Sequence, residues 1–183
     1  TGATLHYMTG KPDAGDIVGQ RAVAISRDAT ALTLYRRLAA EARVVLDEAL
    51  PLIRERRAPR RVQDHARSSY FGGRKPADGR IDWSWPAERV RNLVRAVARP
   101  WPGAFTWARG RRMVVWSAET HAVAANLSPG HLVETGEGLV VATGQGCLRP
   151  VEVQLDGAGA APWSDAVREL ELRRGERLGE ERV

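Results

Sequence analysis

The spacing of apolar positions changes along this chain, and each change marks an element. Two short apolar segments, residues 3–8 and 17–24, flank the polar turn Thr9-Gly10-Lys11-Pro12-Asp13-Ala14-Gly15-Asp16. This is the pattern of strand, loop and strand, with Asp13 at the tip. Leu34, Leu38, Ala42, Val45 and Ala49 then recur at three- and four-residue spacing. They predict a helix capped by Asp28 or Thr30 and running to about Leu50. The stripe fades into Arg54-Glu55-Arg56-Arg57-Ala58-Pro59-Arg60-Arg61, and polar residues broken by Gly72-Gly73, Pro76 and Asp78-Gly79 follow. That stretch is expected to be a linker between two domains.

A second helix is predicted from Ser84 as N-cap, with Pro86 in its first turn and Val90, Leu93, Val94 and Val97 on one face; Pro100 ends it. The period then becomes that of strands. Residues 104–107, 112–118, 130–135, 138–143 and 147–155 are short, rich in β-formers and separated by Gly, Asn or Ser. Five such strands after one helix predict a small antiparallel barrel of the OB type. An amphipathic segment at 163–172 ends at Gly175, and Gly157-Ala158-Gly159-Ala160-Ala161 is expected to be a flexible loop. No internal repeat is present.

Composition narrows the class. With 183 residues, 43% hydrophobic and 27% charged, the chain matches an ordinary soluble globular protein of one or two domains. It has no apolar run near the ~20 residues that cross a bilayer, no signal-peptide pattern and no initiator Met. A chain opening on an apolar strand is expected to be a fragment of something longer. The single Cys147 excludes an intrachain disulfide framework and a cysteine-cluster metal site, which fits a reducing cytoplasm. The net charge of +6 is concentrated in residues 54–75 and 80–112. Such segments suit phosphates of a nucleic acid or nucleotide, and equally a solvated Arg-rich linker and helix face.

Candidate chemistry is sparse. His6, His65, His121 and His131 show no zinc-binding spacing, and His6, within an alternating strand, reads as structural. Gly144-Gln145-Gly146 follows a strand without a helix after it and reads as a hairpin turn, not a dinucleotide-binding loop. Trp83, Trp101, Trp107 and Trp116 lie among apolar neighbours, and packing in a core or a domain interface is expected of them. Asp13 by itself is a turn former.

Several blocks in order carry a resemblance. Thr4-Leu5 with Asp13-Ala14-Gly15, then Tyr70-Phe71-Gly72-Gly73-Arg74-Lys75-Pro76-Ala77-Asp78-Gly79-Arg80-Ile81-Asp82-Trp83, then Arg99-Pro100-Trp101-Pro102-Gly103-Ala104-Phe105-Thr106, together resemble the formyltransferases that use 10-formyltetrahydrofolate. Ser128-Pro129-Gly130 and Ala142-Thr143-Gly144-Gln145-Gly146 fit the family's C-terminal barrel. The wording is most similar to the formyltransferase half of the polymyxin-resistance (lipid A modification) enzyme, which formylates UDP-4-amino-4-deoxy-L-arabinose. Methionyl-tRNA formyltransferase is the alternative, and a non-catalytic binding module on the barrel is a third.

The resemblance implies an α/β chain: the C-terminal remnant of a Rossmann-like formyltransferase domain over 1–58, a linker over 59–79, and an OB-like barrel over 80–183. It implies a folate formyl donor and a primary amine as acceptor, on a UDP-amino sugar or on tRNA. The family's Asp stands beside a catalytic His and keeps its pKa raised, while an Asn stabilises the oxyanion. Asp13 matches that Asp. Thr9, Gly10, Lys11, Pro12 and Asp13 match the folate-site lining. The family's Asn and His are expected upstream of Thr1, so the 183 residues alone are expected to be inactive. No metal is implied.

Overall fold

The computed structural model describes residues 1–121 and 128–180. They form two compact units, Thr1–Gly73 and Arg74–Val183. In the first unit, strands β1 (Gly2–His6) and β2 (Ile17–Ala22) make an antiparallel hairpin, in register from Gly2 opposite Ala22 to Leu5 opposite Gly19. A bulge between Leu5 and His6 breaks the alternation just before the loop. Helix α1 (Ala31–Arg54) packs on the hairpin through Val45 and Ala49, which are buried with Val18 and Val23. Gly19 permits this close approach: a Cβ there would lie 3.0 Å from Val45 Cγ1. Thr30, one of the two expected caps, accepts a hydrogen bond from Thr33 N–H while Thr33 Oγ1 accepts from Thr30 N–H. Arg21 ties β2 to the helix through Glu41 (2.7 Å) and Glu48 (3.3 Å).

The helix runs past Pro51, one turn beyond the sequence expectation, because a proline near a C-terminus removes only one donor bond. A second apolar stripe on α1 is left open: Leu46, Leu50 and Ile53 are all exposed.

The second unit is a small α/β domain with a mainly antiparallel sheet. Strands β3 (Ala104–Ala108), β4 (Arg111–His121), β5 (Leu132–Thr135), β6 (Gly138–Ala142), β7 (Cys147–Leu155) and β8 (Ala160–Pro162) are joined in the order β3-β4-β7-β6-β5, with β8 on β7. The expected loop at 157–161 is therefore corrected in part: Ala160 and Ala161 pair with Gln154 and Val153. This pairing uses backbone alone, so no β-branched residue announces it.

Helix α2 (Ala87–Ala96) covers the sheet with Val90 and Val94, and helix α3 (Trp163–Glu169) adds Trp163 and Ala166. The core centres on Met113, Val115, Leu132, Val141, Leu148 and Val153. Ser84 does not cap α2; Pro86 holds that position without a side-chain bond. The first helical N–H, of Ala87, is satisfied instead by Gln145 O at 3.0 Å. The Ser84 amide and hydroxyl donate to Asp82 Oδ1 (2.9 and 2.6 Å).

The chain after α3 returns to the sheet and meets both of its edges. Leu132 N–H donates to Glu176 O, Leu178 N–H to Gly130 O, and Gly179 N–H to Trp107 O, each at 2.8 Å. Arg109 fastens this return, gripping the Glu176 carboxylate at 2.7 and 3.0 Å and the Glu171 carbonyl at 3.0 Å. The Arg109 hydrogen bonds hold the Glu176 carboxyl below its usual range. A carboxylate with a depressed folded pKa contributes stability above its unfolded value, near pH 4.3, and loses it as the pH falls through the lower folded value. Arg109→Ala is accordingly expected to lower the unfolding midpoint at pH 7, with the difference from the native chain shrinking in strong acid to the share of the non-titrating Glu171 carbonyl contact. Thermal melts at pH 7 and pH 2.5 check this; an equal difference at both would disconnect the effect from Glu176.

Candidate functional site

All five sequence-selected residues, Thr9, Gly10, Lys11, Pro12 and Asp13, lie on the exposed loop between β1 and β2. The loop is held at its base. Gly15 passes under Tyr7, just after β1, so closely that a Cβ would lie 1.7 Å from Tyr7 O, and only glycine fits. Tyr7 N–H donates to Asp16 O at 2.9 Å, and Thr9 Oγ1 donates to Lys11 O at 2.8 Å.

From the other side, Arg61 exchanges both backbone hydrogen bonds with Ile17 (2.7 and 3.1 Å). The Gln63 amide donates to the carbonyls of Asp13 (2.9 Å) and Gly15 (2.5 Å). Arg60 lies over the Tyr7 ring, 3.7 Å from its centroid, and 3.6 Å from Asp16 Oδ2. Loop and support are separated by about fifty residues of sequence. The support lies in the polar stretch read from sequence as linker.

Asp13 adopts a left-handed backbone, φ 55°, which Asp and Asn tolerate better than other side chains. Its carboxylate points outward, 78% exposed, with Oδ1 3.6 Å from His6 Nε2. His6 is half-buried, and its Nδ1 lies 2.9 Å from the Tyr7 carbonyl. A carbonyl can only accept, so Nδ1–H donates there, and Nε2 meets the Asp13 carboxylate favourably only when it too carries a proton. The sequence reading of His6 as structural does not foresee this approach, which follows a bulge after Leu5 that the sequence pattern does not mark. His65 lies in a short 3₁₀ turn, and His121 and His131 belong to the second unit. Among the described residues no group of three or more His, Cys, Asp or Glu could hold a metal ion.

The tryptophans divide. Trp83 and Trp163 are buried in the second unit's core, whereas Trp101 is 37% exposed. Trp107 and Trp116 are partly covered by the guanidiniums of Arg80 and Arg99. No helix among the described residues is long and apolar enough to cross a membrane.

The family model described as formyl transferase, C-terminal domain, matches residues 74–170, more than half of the chain. The chain belongs to that family.

Solved structures extend the likeness in fold to the first unit. HypX from Aquifex aeolicus, determined with tetrahydrofolic acid, is similar over 91% of this chain and 30% of its own, with TM-score 0.65 and 18% identity. An N-formyltransferase from Helicobacter canadensis, determined with folinic acid and dTDP-3-aminofucose, covers 86% of this chain and 55% of its own, with TM-score 0.60 and 17% identity. WlaRD, a sugar 3N-formyl transferase determined with dTDP and 5-N-formyl-THF, covers 85% and 55%, with TM-score 0.59 and 16% identity. The chain thus spans under a third of HypX and about half of each sugar enzyme.

Proposed function

We propose that this chain is part of a folate-dependent formyltransferase, moving the formyl group of 10-formyltetrahydrofolate to a primary amine on a UDP-amino sugar. One observation carries the reading: Asp13 is presented on a braced loop in a chain that belongs to the formyl transferase C-terminal family. The folate and sugar-nucleotide ligands of the similarly folded proteins support the donor and acceptor classes.

In this reading the amine nitrogen attacks the formyl carbon, and the carbonyl π electrons move to oxygen as a tetrahedral oxyanion. Its collapse re-forms the carbonyl and breaks the bond to folate N10. The amine gives up a proton and N10 takes one. Asp13 orients the family's catalytic histidine, a residue other than His6, and that histidine handles these protons. Thr9, Gly10, Lys11 and Pro12 line the folate. Lys11, exposed and without an ion-pair partner among the described residues, is placed to meet an anionic group of the donor.

The same reading extends to the two units. The first unit is the C-terminal remnant of a Rossmann-like domain; a two-stranded sheet is too small to stand alone, and the stripe at Leu46, Leu50 and Ile53 offers a face for more of that domain. The second unit is an OB-like barrel, a reading supported by the return segment that bonds both sheet edges.

His6 is a positioning residue for Asp13. His6→Gln in the full-length gene product is expected to lower kcat about tenfold while leaving the KM for the folate donor unchanged. A rise in that KM with unchanged kcat would place His6 in donor binding instead. Acceptor class is tested by steady-state transfer to UDP-4-amino-4-deoxy-L-arabinose and to methionyl-tRNA side by side. Transfer to tRNA alone would overturn the sugar assignment.

A further inference from the structure

In the first unit two adjacent aromatic side chains that the formyl-transfer reading does not use stand in the open. Tyr70 is 67% exposed and Phe71 is 92% exposed. Single exposed apolar residues are ordinary on a protein surface. A bare Tyr-Phe pair is not, because burying such rings is a main source of folding free energy. The backbone that follows is equally clear of neighbours: a Cβ built on Gly72 or Gly73 would meet nothing within 4 Å. Space for a flat group is therefore open beside the Phe71 ring.

The pair is tied to the candidate site through the chain itself. Gln63, whose amide holds the Asp13 and Gly15 carbonyls at 2.9 and 2.5 Å, lies eight residues before Phe71. Between them the 3₁₀ turn His65–Arg67 shortens the path. That turn is closed at both ends. Asp64 Oδ1 accepts from Ala66 N–H at 3.1 Å, and Ser68 Oγ donates to the His65 carbonyl at 2.8 Å.

Charge narrows what the ring could meet. From His65 to Ala77 the sequence has no Asp or Glu, whereas Arg67, Arg74 and Lys75 are cationic. A flat apolar face in a stretch of positive sign suits a planar base joined to an anionic group. Met8 and Val62 are also bare, at 94% and 82% exposed, but they have no π face to offer a base. Resting on the UDP-amino sugar reading above, we propose that Phe71 is the stacking platform for the uracil of the acceptor. It is then a specificity-determining residue, favouring a nucleotide-linked amino sugar over the same sugar without its base.

Steady-state transfer by the full-length gene product tests this with two acceptors. One is UDP-4-amino-4-deoxy-L-arabinose; the other is 4-amino-4-deoxy-L-arabinose 1-phosphate, which lacks the base. Phe71→Ala is expected to raise the KM for the first about tenfold, as loss of one stacked base implies. Its kcat, its KM for the folate donor and its kcat/KM for the sugar phosphate should stay at native values. Phe71→Trp should keep the native KM for both acceptors. An unchanged KM for the UDP-sugar in Phe71→Ala overturns the proposal. So does an equal loss with both acceptors alongside a lower melting temperature, since the ring would then be packed against protein. Isothermal titration of the same full-length protein with UDP decides the matter without turnover. Affinity should fall about tenfold in Phe71→Ala, and no UDP binding at millimolar concentration overturns the platform. Failure of the formyl-transfer reading is distinct: the native protein would then transfer formyl to no amine at all, while the UDP titration still reports on Phe71.

Discussion

Asp13→Asn in the full-length gene product is expected to lower formyl transfer by roughly 10²- to 10⁴-fold, the range for losing a positioned acid–base group. Asparagine is the right replacement because the site is strained for most others. The φ of 55° is left-handed, and Asn adopts it nearly as readily as Asp. The loop braces touch backbone, not the side chain: Gln63 bonds the Asp13 and Gly15 carbonyls, and Gly15 lies beneath Tyr7. The substitution therefore removes a charge opposite His6 Nε2 and keeps the loop. A mutation to Ala would confound chemistry with backbone strain. Steady-state kinetics with saturating folate donor, beside circular dichroism, separates the two. Turnover within threefold of the native enzyme would remove Asp13 from the mechanism.

What the sequence reveals depends on whether periodicity or distance carries the information. The α1 and α2 faces are legible because Val45, Ala49, Val90 and Val94 repeat at helical spacing, and the buried positions are those residues. Strands β1 to β7 are legible for the same reason, to within a few residues at their ends, and β8 is not. The Asp13 loop could be placed between its strands, yet its role rested on the family blocks, since turn chemistry gives the same reading for any Asp there.

Three features lay beyond reach. His6 meets Asp13 only because a bulge re-aims the end of β1, and alternation cannot register a bulge. Gln63 braces the loop from a polar stretch 48 residues beyond Gly15, where nothing in composition sets it apart from linker. Ser84 has every local mark of an N-cap, but the Gln145 carbonyl reaches the helix start first and frees Ser84 for Asp82. In each case a tertiary contact overrides a valid local rule.

Trp83→Ala is expected to destabilise the second unit by about 3–5 kcal/mol, the usual cost of emptying a large aromatic from a core. Its indole is 5% exposed among Val90, Val94 and Leu178, and Nε1–H donates to Thr106 Oγ1 at 3.1 Å. Thr106 is itself only 1% exposed, so the truncation also leaves a buried hydroxyl without its donor. The two contributions separate by a cycle. Trp83→Phe retains most of the ring and loses the hydrogen bond, which should cost about 1–3 kcal/mol. Adding Thr106→Val to it removes the orphaned hydroxyl and should restore part of that loss. Denaturant unfolding followed by far-UV circular dichroism measures each step. If Trp83→Ala costs under about 1 kcal/mol, the indole is not a core element.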